Sequence, residues 1–268
     1  MASFSVITNV AANNAQANLY STNIGLRTAL TRVSSGFRIN NSGDDAAGLA
    51  VANGYRSTVA VLNQGVRNAN DGLSSLQIKD GALANISTLL DRLSTLSAQA
   101  ASGETTGTSR TTLNSEFQDV LSEIDREANV AGLSTTATFS VFVSNSTGTN
   151  GKISGTVGLA SQAALSLTGH VITSQATAQS AVAAVASAVT LLGSSQATVG
   201  TLENRLQFAI SLAQSQIVNN KAAESRIRDA NVAEESANLT RFNILSQSGI
   251  AALSQANQQS ASVLALLR

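Results

Sequence analysis

An unbroken heptad decides most of what this chain can become. Val182, Val185, Val189, Leu192, Gln196, Val199, Glu203, Leu206, Ile210, Ala213 and Ile217 follow one another at alternating steps of three and four, and all but Gln196 and Glu203 are apolar. A helix turns once in 3.6 residues, so such positions form one stripe, and the pattern predicts a coiled-coil seam. A second register runs through Val59, Leu62, Val66, Ala69, Leu73 and Leu76, and apolar residues continue at Leu83, Ile86, Leu90, Leu93 and Leu96. The two long helices are natural antiparallel partners. Nothing in the chain forbids such lengths, because its 268 residues include no proline, where average usage of about 5% would place roughly a dozen. Proline is the residue that removes an interior amide donor and kinks a helix.

The two ends carry the same spacing with smaller side chains. Ala12, Ala15, Leu19, Thr22, Leu26, Ala29 and Val33 form one stripe, and Leu239, Phe242, Ser246, Gly249, Leu253, Ala256, Ser260, Val263 and Leu267 form the other. They predict terminal helices over about 5–34 and 230–266, paired as a coiled coil. Gly36 stands where a left-handed cap would end the first, and Asn40 to Asp45 supplies turn and N-cap chemistry before the next. A shorter helix is expected over 110–128, with Leu113, Phe117, Val120, Leu121 and Ile124 on one face. Between about 131 and 172 the period falls to two: Thr138 to Val143 and Lys152 to Val157 alternate around a turn cluster at Asn145 to Gly151. This predicts one β-hairpin, with a third strand around 165–172 as an extension. The fold class expected is therefore mainly α: long antiparallel coiled-coil helices forming a rod, with one small β-hairpin region. Terminal stripes rich in Ala, Ser, Asn and Gln bury little apolar area, so the ends are expected to order on assembly.

Composition closes off other classes. Sixteen basic and sixteen acidic residues cancel, and no basic patch with interleaved aromatics marks a nucleic-acid surface. Cysteine is absent, which removes disulfides, thiol nucleophiles and Cys-based metal sites. The first residues lack a charged n-region and an apolar core, and no stretch reads as the ~20 apolar residues of a membrane span. A cytosolic protein is expected on that ground, unless export uses a route that cleaves nothing. His170 is the sole histidine, and no serine lies in a nucleophile elbow. Glu123 and Asp125 lie two apart, on different helix faces, and so do not form a local acid/base pair. Asp44 and Asp45 beside Gly43 read as a helix start and not as a metal site, for want of further ligands. Arg38 and Arg56 are candidates to pair with them or with a neighbouring subunit, beside the plainer reading of solvated charge. No phosphate-binding loop, His-Glu-x-x-His or dinucleotide fingerprint occurs. No catalytic, metal or cofactor site is expected. Asn85, Asn145 and Asn238 begin Asn-x-Ser/Thr triplets, a signal that belongs to eukaryotic secretory proteins.

Several longer motifs are specific. Ser34-Ser35-Gly36-Phe37-Arg38-Ile39-Asn40 followed by Gly43-Asp44-Asp45-Ala46-Ala47-Gly48-Leu49-Ala50 resembles the N-terminal hallmark of bacterial flagellins. Glu203-Asn204-Arg205-Leu206, Ser225-Arg226-Ile227-Arg228-Asp229-Ala230-Asn231, Ile244-Leu245-Ser246-Gln247-Ser248-Gly249 and Gln255-Ala256-Asn257-Gln258 resemble the C-terminal hallmark, which ends in Val263-Leu264-Ala265-Leu266-Leu267-Arg268. The resemblance covers roughly the first 130 and last 95 residues, in the right order.

That resemblance implies a structural subunit that polymerises into the flagellar filament and serves as its propeller. Residues 1–40 and 226–268 would form the inner tube, and 41–225 a helical rod with a hairpin at about 131–172, without the outer domains many relatives carry. Self-assembly would run through Leu19, Leu26, Val33, Leu239, Phe242, Leu253, Ala256, Val263 and Leu267. The partners implied are further copies of the chain, an export chaperone and the flagellar type III apparatus, and the filament cap and hook-junction proteins. Export without a cleaved signal would place the product outside the cell. Arg92, Leu96 and Glu116 match positions gripped by flagellin-sensing Toll-like receptors, and Leu264, Leu266 and Leu267 match the tail read by cytosolic sensors; both sets also read as packing residues. Ser and Thr around 134–156 are candidate O-glycan carriers. The rival readings are a hook–filament junction protein of the same fold and a discrete coiled-coil binding protein that would not extend from seeds.

Overall fold

The computed structural model describes residues 8–266 except 136, 145 and 147; at 137, 149 and 260–266 it describes the backbone alone. Among the described residues five α-helices and two strands follow one another: α1 (Val10–Ser35), α2 (Ala46–Ala101), α3 (Gly107–Val130), β1 (Ala137–Phe142), β2 (Lys152–Val157), α4 (Gln175–Arg228) and α5 (Val232–Leu266), with a short 3-10 turn at Gly148–Gly151 between the strands. They divide between two compact units, one made of residues 1–57 and 220–268 and the other of 58–219.

In the terminal unit, α1 and α5 lie side by side. Asn9 caps α1 by accepting from the Ala12 amide at 3.0 Å. Gly36 ends it in the left-handed region, φ 74°, donating to Arg32 O at 2.9 Å. That conformation carries almost no steric penalty without a Cβ. The chain then turns at Asn40–Asp45, where Asp44 Oδ2 accepts from the amides of Asn40 and Asn41 at 3.0 and 2.9 Å. Asp45 Oδ1 accepts from Gly48 N at 2.8 Å, the N-cap bond expected of a helix start. The segments that follow α1 and α4 are tied together. Phe37 bridges to Asp229, Arg38 N donates to Arg228 O at 2.7 Å, Ala230 N donates to Gly36 O at 2.9 Å, and the Arg228 guanidinium stacks 4.2 Å from the Phe37 ring centroid. Arg38 does not pair with an acid: its Nη2 donates to the Ile227 carbonyl at 2.9 Å, satisfying an otherwise open group near the end of α4. Glu234 and Glu235 occupy the first turn of α5, where negative charge complements the helix dipole.

The central unit holds the core. Leu76, Leu83, Ile86, Leu90, Leu93 and Leu96 of α2 and Phe117, Leu121 and Ile124 of α3 are buried in one cluster. It also takes in Phe139 and Val157 of the hairpin and Val185, Leu192, Val199 and Leu206 of α4. The strands are antiparallel, Phe139 opposite Gly155 and Phe142 opposite Lys152. Glycines seven apart on α2 let the hairpin approach: a Cβ at Gly65 would strike the Val143 carbonyl, and one at Gly72 would come 2.6 Å from Val141 Cγ2. On the other side Gly155 meets Leu202 and Gly158 meets Ser195. Moving along the hairpin from Val143 to Phe139, and so up β2, the α2 contacts rise from 65 to 72 while the α4 contacts fall from 202 to 195. The two heptad helices are thus antiparallel, as their spacing predicts.

The apolarity of α4 has a use inside the molecule. Against the expectation that no stretch approaches a membrane span, an 18-residue window with mean hydropathy 1.4 makes this helix long and apolar enough to cross a membrane by length and composition; 28% of that window is buried, and Ala178, Ala181, Val185, Ala188 and Leu192 belong to the core. The expected third strand around 165–172 is not formed. Leu165, Leu167 and Ile172 are buried there, but in consecutive turns with left-handed Ser166 (φ 58°) and Gly169 (φ 79°), and Leu167 N donates to Gln162 O at 2.8 Å. Apolar residues at alternate positions were produced by a turn that tucks each one inward, not by a pleated strand.

Candidate functional site

The surface of the terminal unit departs most from what a self-sufficient fold would show. Among the described side chains Leu19, Leu26, Val33, Leu239, Phe242, Leu253 and Ala256 all fall on the facing stripes of α1 and α5, and each is only half-buried. Ala29 is the single fully buried residue on α1, and no described side chain of α5 is fully buried. Two interlocks set the register: Phe242 lies on Gly25, where a Cβ would meet its ring at 2.6 Å, and Leu19 lies on Gly249, where a Cβ would meet Cδ1 at 2.9 Å. Arg32 and Glu235 pair at 3.0 Å near one end, and Asn9 Nδ2 donates to Ala256 O at 2.9 Å near the other. Val263 is described by backbone only, and Leu267 lies outside the described residues.

Outside that narrow seam, large apolar side chains face solvent: Tyr20 is 71% exposed, Ile24 51%, Ile244 59% and Ile250 58%. A groove of about 520 Å³ runs along the pair, lined among others by Leu19, Phe242, Leu245, Gly249 and Ala252. No charged residue occurs from Asn9 to Leu26 or from Phe242 to Gln259. A solvated helix surface normally carries charge, and apolar exposure of this kind marks an interaction surface. Sequence reasoning found the seam but missed Tyr20, Ile24, Ile244 and Ile250. Their signal was present as the uncharged flanks on which they sit.

The remaining candidates scatter. On the central unit Arg92 Nε donates to Glu116 Oε1 at 2.9 Å, and both side chains are about half exposed. Leu96, one turn from Arg92, is 1% exposed and belongs to the core. Leu264 and Leu266 are described by backbone only. Asp125 accepts from Gln162 N at 2.8 Å while Glu123 pairs with Arg126, so each of these carboxylates has its own structural partner. His170 is half-buried and its carbonyl accepts from Gln118 Nε2. Asp44 is held below the ordinary carboxylate value of 3.8, chiefly because the Asn41 and then the Asn40 amide bond to it. Among the described residues these groups do not come together in one site.

Comparison with known proteins agrees with the geometry. Residues 6–140 match the bacterial flagellin N-terminal helical region and residues 182–267 the bacterial flagellin C-terminal helical region. The flagellin of Halalkalibacterium halodurans is 35% identical, over 97% of this chain and 98% of that one. The flagellar filament 33 kDa core protein of Treponema phagedenis is 33% identical over the same shares, and the flagellin of Listeria monocytogenes 32% identical over 94% and 96%. With both terminal regions matched to one family and relatives aligned along nearly the whole length, the chain belongs to the bacterial flagellins and is a structural subunit of the flagellar filament.

Proposed function

We propose that the chain polymerises into a helical tube that acts as a propeller, with residues 1–40 and 226–268 forming the inner wall and 41–225 a rod around it. The observation that carries this reading is the half-buried α1–α5 pair, whose stretches 9–26 and 242–259 carry no charge and leave Tyr20, Ile24, Ile244 and Ile250 exposed. Such a pair gains its stability from apolar area covered by further copies, through Leu19, Leu26, Val33, Leu239, Phe242, Leu253, Ala256, Val263 and Leu267 as well as the exposed residues. A contact of one patch with a different patch on the next copy does not close, and so extends into a filament. Catalysis has no part in this role. Export unfolded through the flagellar type III apparatus, with a chaperone before it and the cap and hook-junction proteins after it, would deliver the subunit outside the cell.

The exposed Arg92–Glu116 pair supports a second role, contact with a host Toll-like receptor. In that role Leu96 acts from beneath, by holding α2 in place. Seeded growth separates the main reading from its rivals. Purified chain added to sheared filament seeds should lengthen them in negative-stain images; a discrete oligomer that leaves seed length unchanged would reject the filament role.

A further inference from the structure

We infer that Glu203 is a proton-responsive element in the packed seam of the central unit, and that its ionisation loosens the hold of α4 on the hairpin. Glu203 occupies a heptad position between Val199 and Leu206, which are fully buried, and next to Leu202, which is 2% exposed. Its own side chain is half-buried, and its Oε1 is buried and accepts no hydrogen bond among the described residues. The neighbours on either side grip the hairpin. Leu202 packs on Gly155, where a Cβ would stand 2.8 Å from Cδ2, and Arg205 Nη1 donates to Ser154 O at 3.3 Å.

Among the described residues no cation pairs with the carboxylate. From α2 the facing charge is Asp80, an acid at the seam position that follows Leu76 by four residues. Lys79 beside it is half-buried and makes no ion pair with Glu203. The buried hairpin side chains, Phe139, Val143, Ile153 and Val157, carry no ionisable group. On α4 itself Arg205 is engaged by the Ser154 carbonyl. A neutral carboxyl loses little here, whereas an ionised one leaves an unpaired buried oxygen beside a like charge. Burial first, and Asp80 second, accordingly push the Glu203 carboxyl above its ordinary value of 4.5.

The sign of the response follows. A carboxyl raised in the folded state favours folding in its protonated form, so the contribution is complete below about pH 4.5 and is lost as pH rises through the raised value. Glu203→Gln keeps the shape and cannot ionise, and so should hold the packing of the acid form at every pH. The device belongs to the isolated chain, so its test is independent of filament growth. Carbon-13 titration of Glu203 and amide-exchange protection of 152–157 and 199–206 between pH 4 and 8 should be measured on full-length wild type, Glu203→Gln and Asp80→Asn. The Glu203 midpoint should exceed 4.5, and protection of these segments should fall up to tenfold for each unit of that excess. In Glu203→Gln the fall should vanish, and in Asp80→Asn it should move to lower pH. A wild-type midpoint at or below 4.5, or an undiminished fall in Glu203→Gln, would overturn the inference.

Discussion

Gly65 and Gly81 lie on the same helix, and the space beside them differs completely. A Cβ at Gly65 would run into the backbone carbonyl of Val143, which cannot swing aside as a side chain can, while nothing lies within 4 Å of the position it would take at Gly81. Gly65→Ala should therefore destabilise the central unit by about 1–3 kcal/mol, as overpacking does. Gly81→Ala should stabilise it by about 0.5–1 kcal/mol through the helix preference for alanine. Denaturant midpoints of the two variants should move in opposite directions. Asp44 gives a residue-scale test in the terminal unit. Its carboxylate is held below 3.8 by the Asn41 and Asn40 amides, so its contribution is complete above that value and is lost as pH falls through the lowered one. Asp44→Ala should remove that share of the acid sensitivity, read as faster exchange of the Asn40 and Asn41 amides at neutral pH and a flatter acid limb. Equal exchange in variant and wild type would show that the turn holds without these bonds.

At the scale of elements, helices of similar spacing differ in what they bury. Leu83, Ile86, Leu90 and Leu93 on α2 are each 0% exposed, whereas the described seam side chains of α1 and α5 are half-buried apart from Ala29. In the isolated chain, amides of 10–26 and 242–258 should exchange orders of magnitude faster than those of 83–100, because local opening tracks apolar burial. Protection of α1 equal to that of α2 would mean that the terminal pair is stable alone. The same contrast shows what could be read from sequence. The contacts of Leu19 with Gly249 and of Phe242 with Gly25 follow the spacing, and the hairpin and the end of α1 at Gly36 were legible too, because periodicity and cap chemistry are local. The third strand was misread because Leu165 and Leu167 alternate for a different reason, a tight turn with Ser166 left-handed. The roles of Gly65, Gly72 and Gly155 could not be read at all, since each answers to a contact with a distant segment. The placement of Leu96 in the core is of the same kind.

The whole molecule spreads its burial unevenly. The core cluster lies in the central unit, while the terminal unit presents helices with charge-free stretches, 9–26 and 242–259, and isoleucines in solvent. A monomer evolved to remain single would not keep that surface, and a polymer needs it. The central claim is that this surface is covered by other copies, and Ile250 tests it because it is 58% exposed within its own chain. Ile250→Asp should leave the melting of the isolated chain nearly unchanged, as surface substitutions do, within about 0.5 kcal/mol. In the filament the same aspartate would be an unpaired buried charge costing several kcal/mol, and each 1.4 kcal/mol is tenfold in affinity. The measurement is the critical concentration for seeded elongation, followed by light scattering beside a thermal melt of the monomer. The account predicts a critical concentration raised by two orders of magnitude or more with an unchanged melt; elongation at the wild-type critical concentration would contradict it.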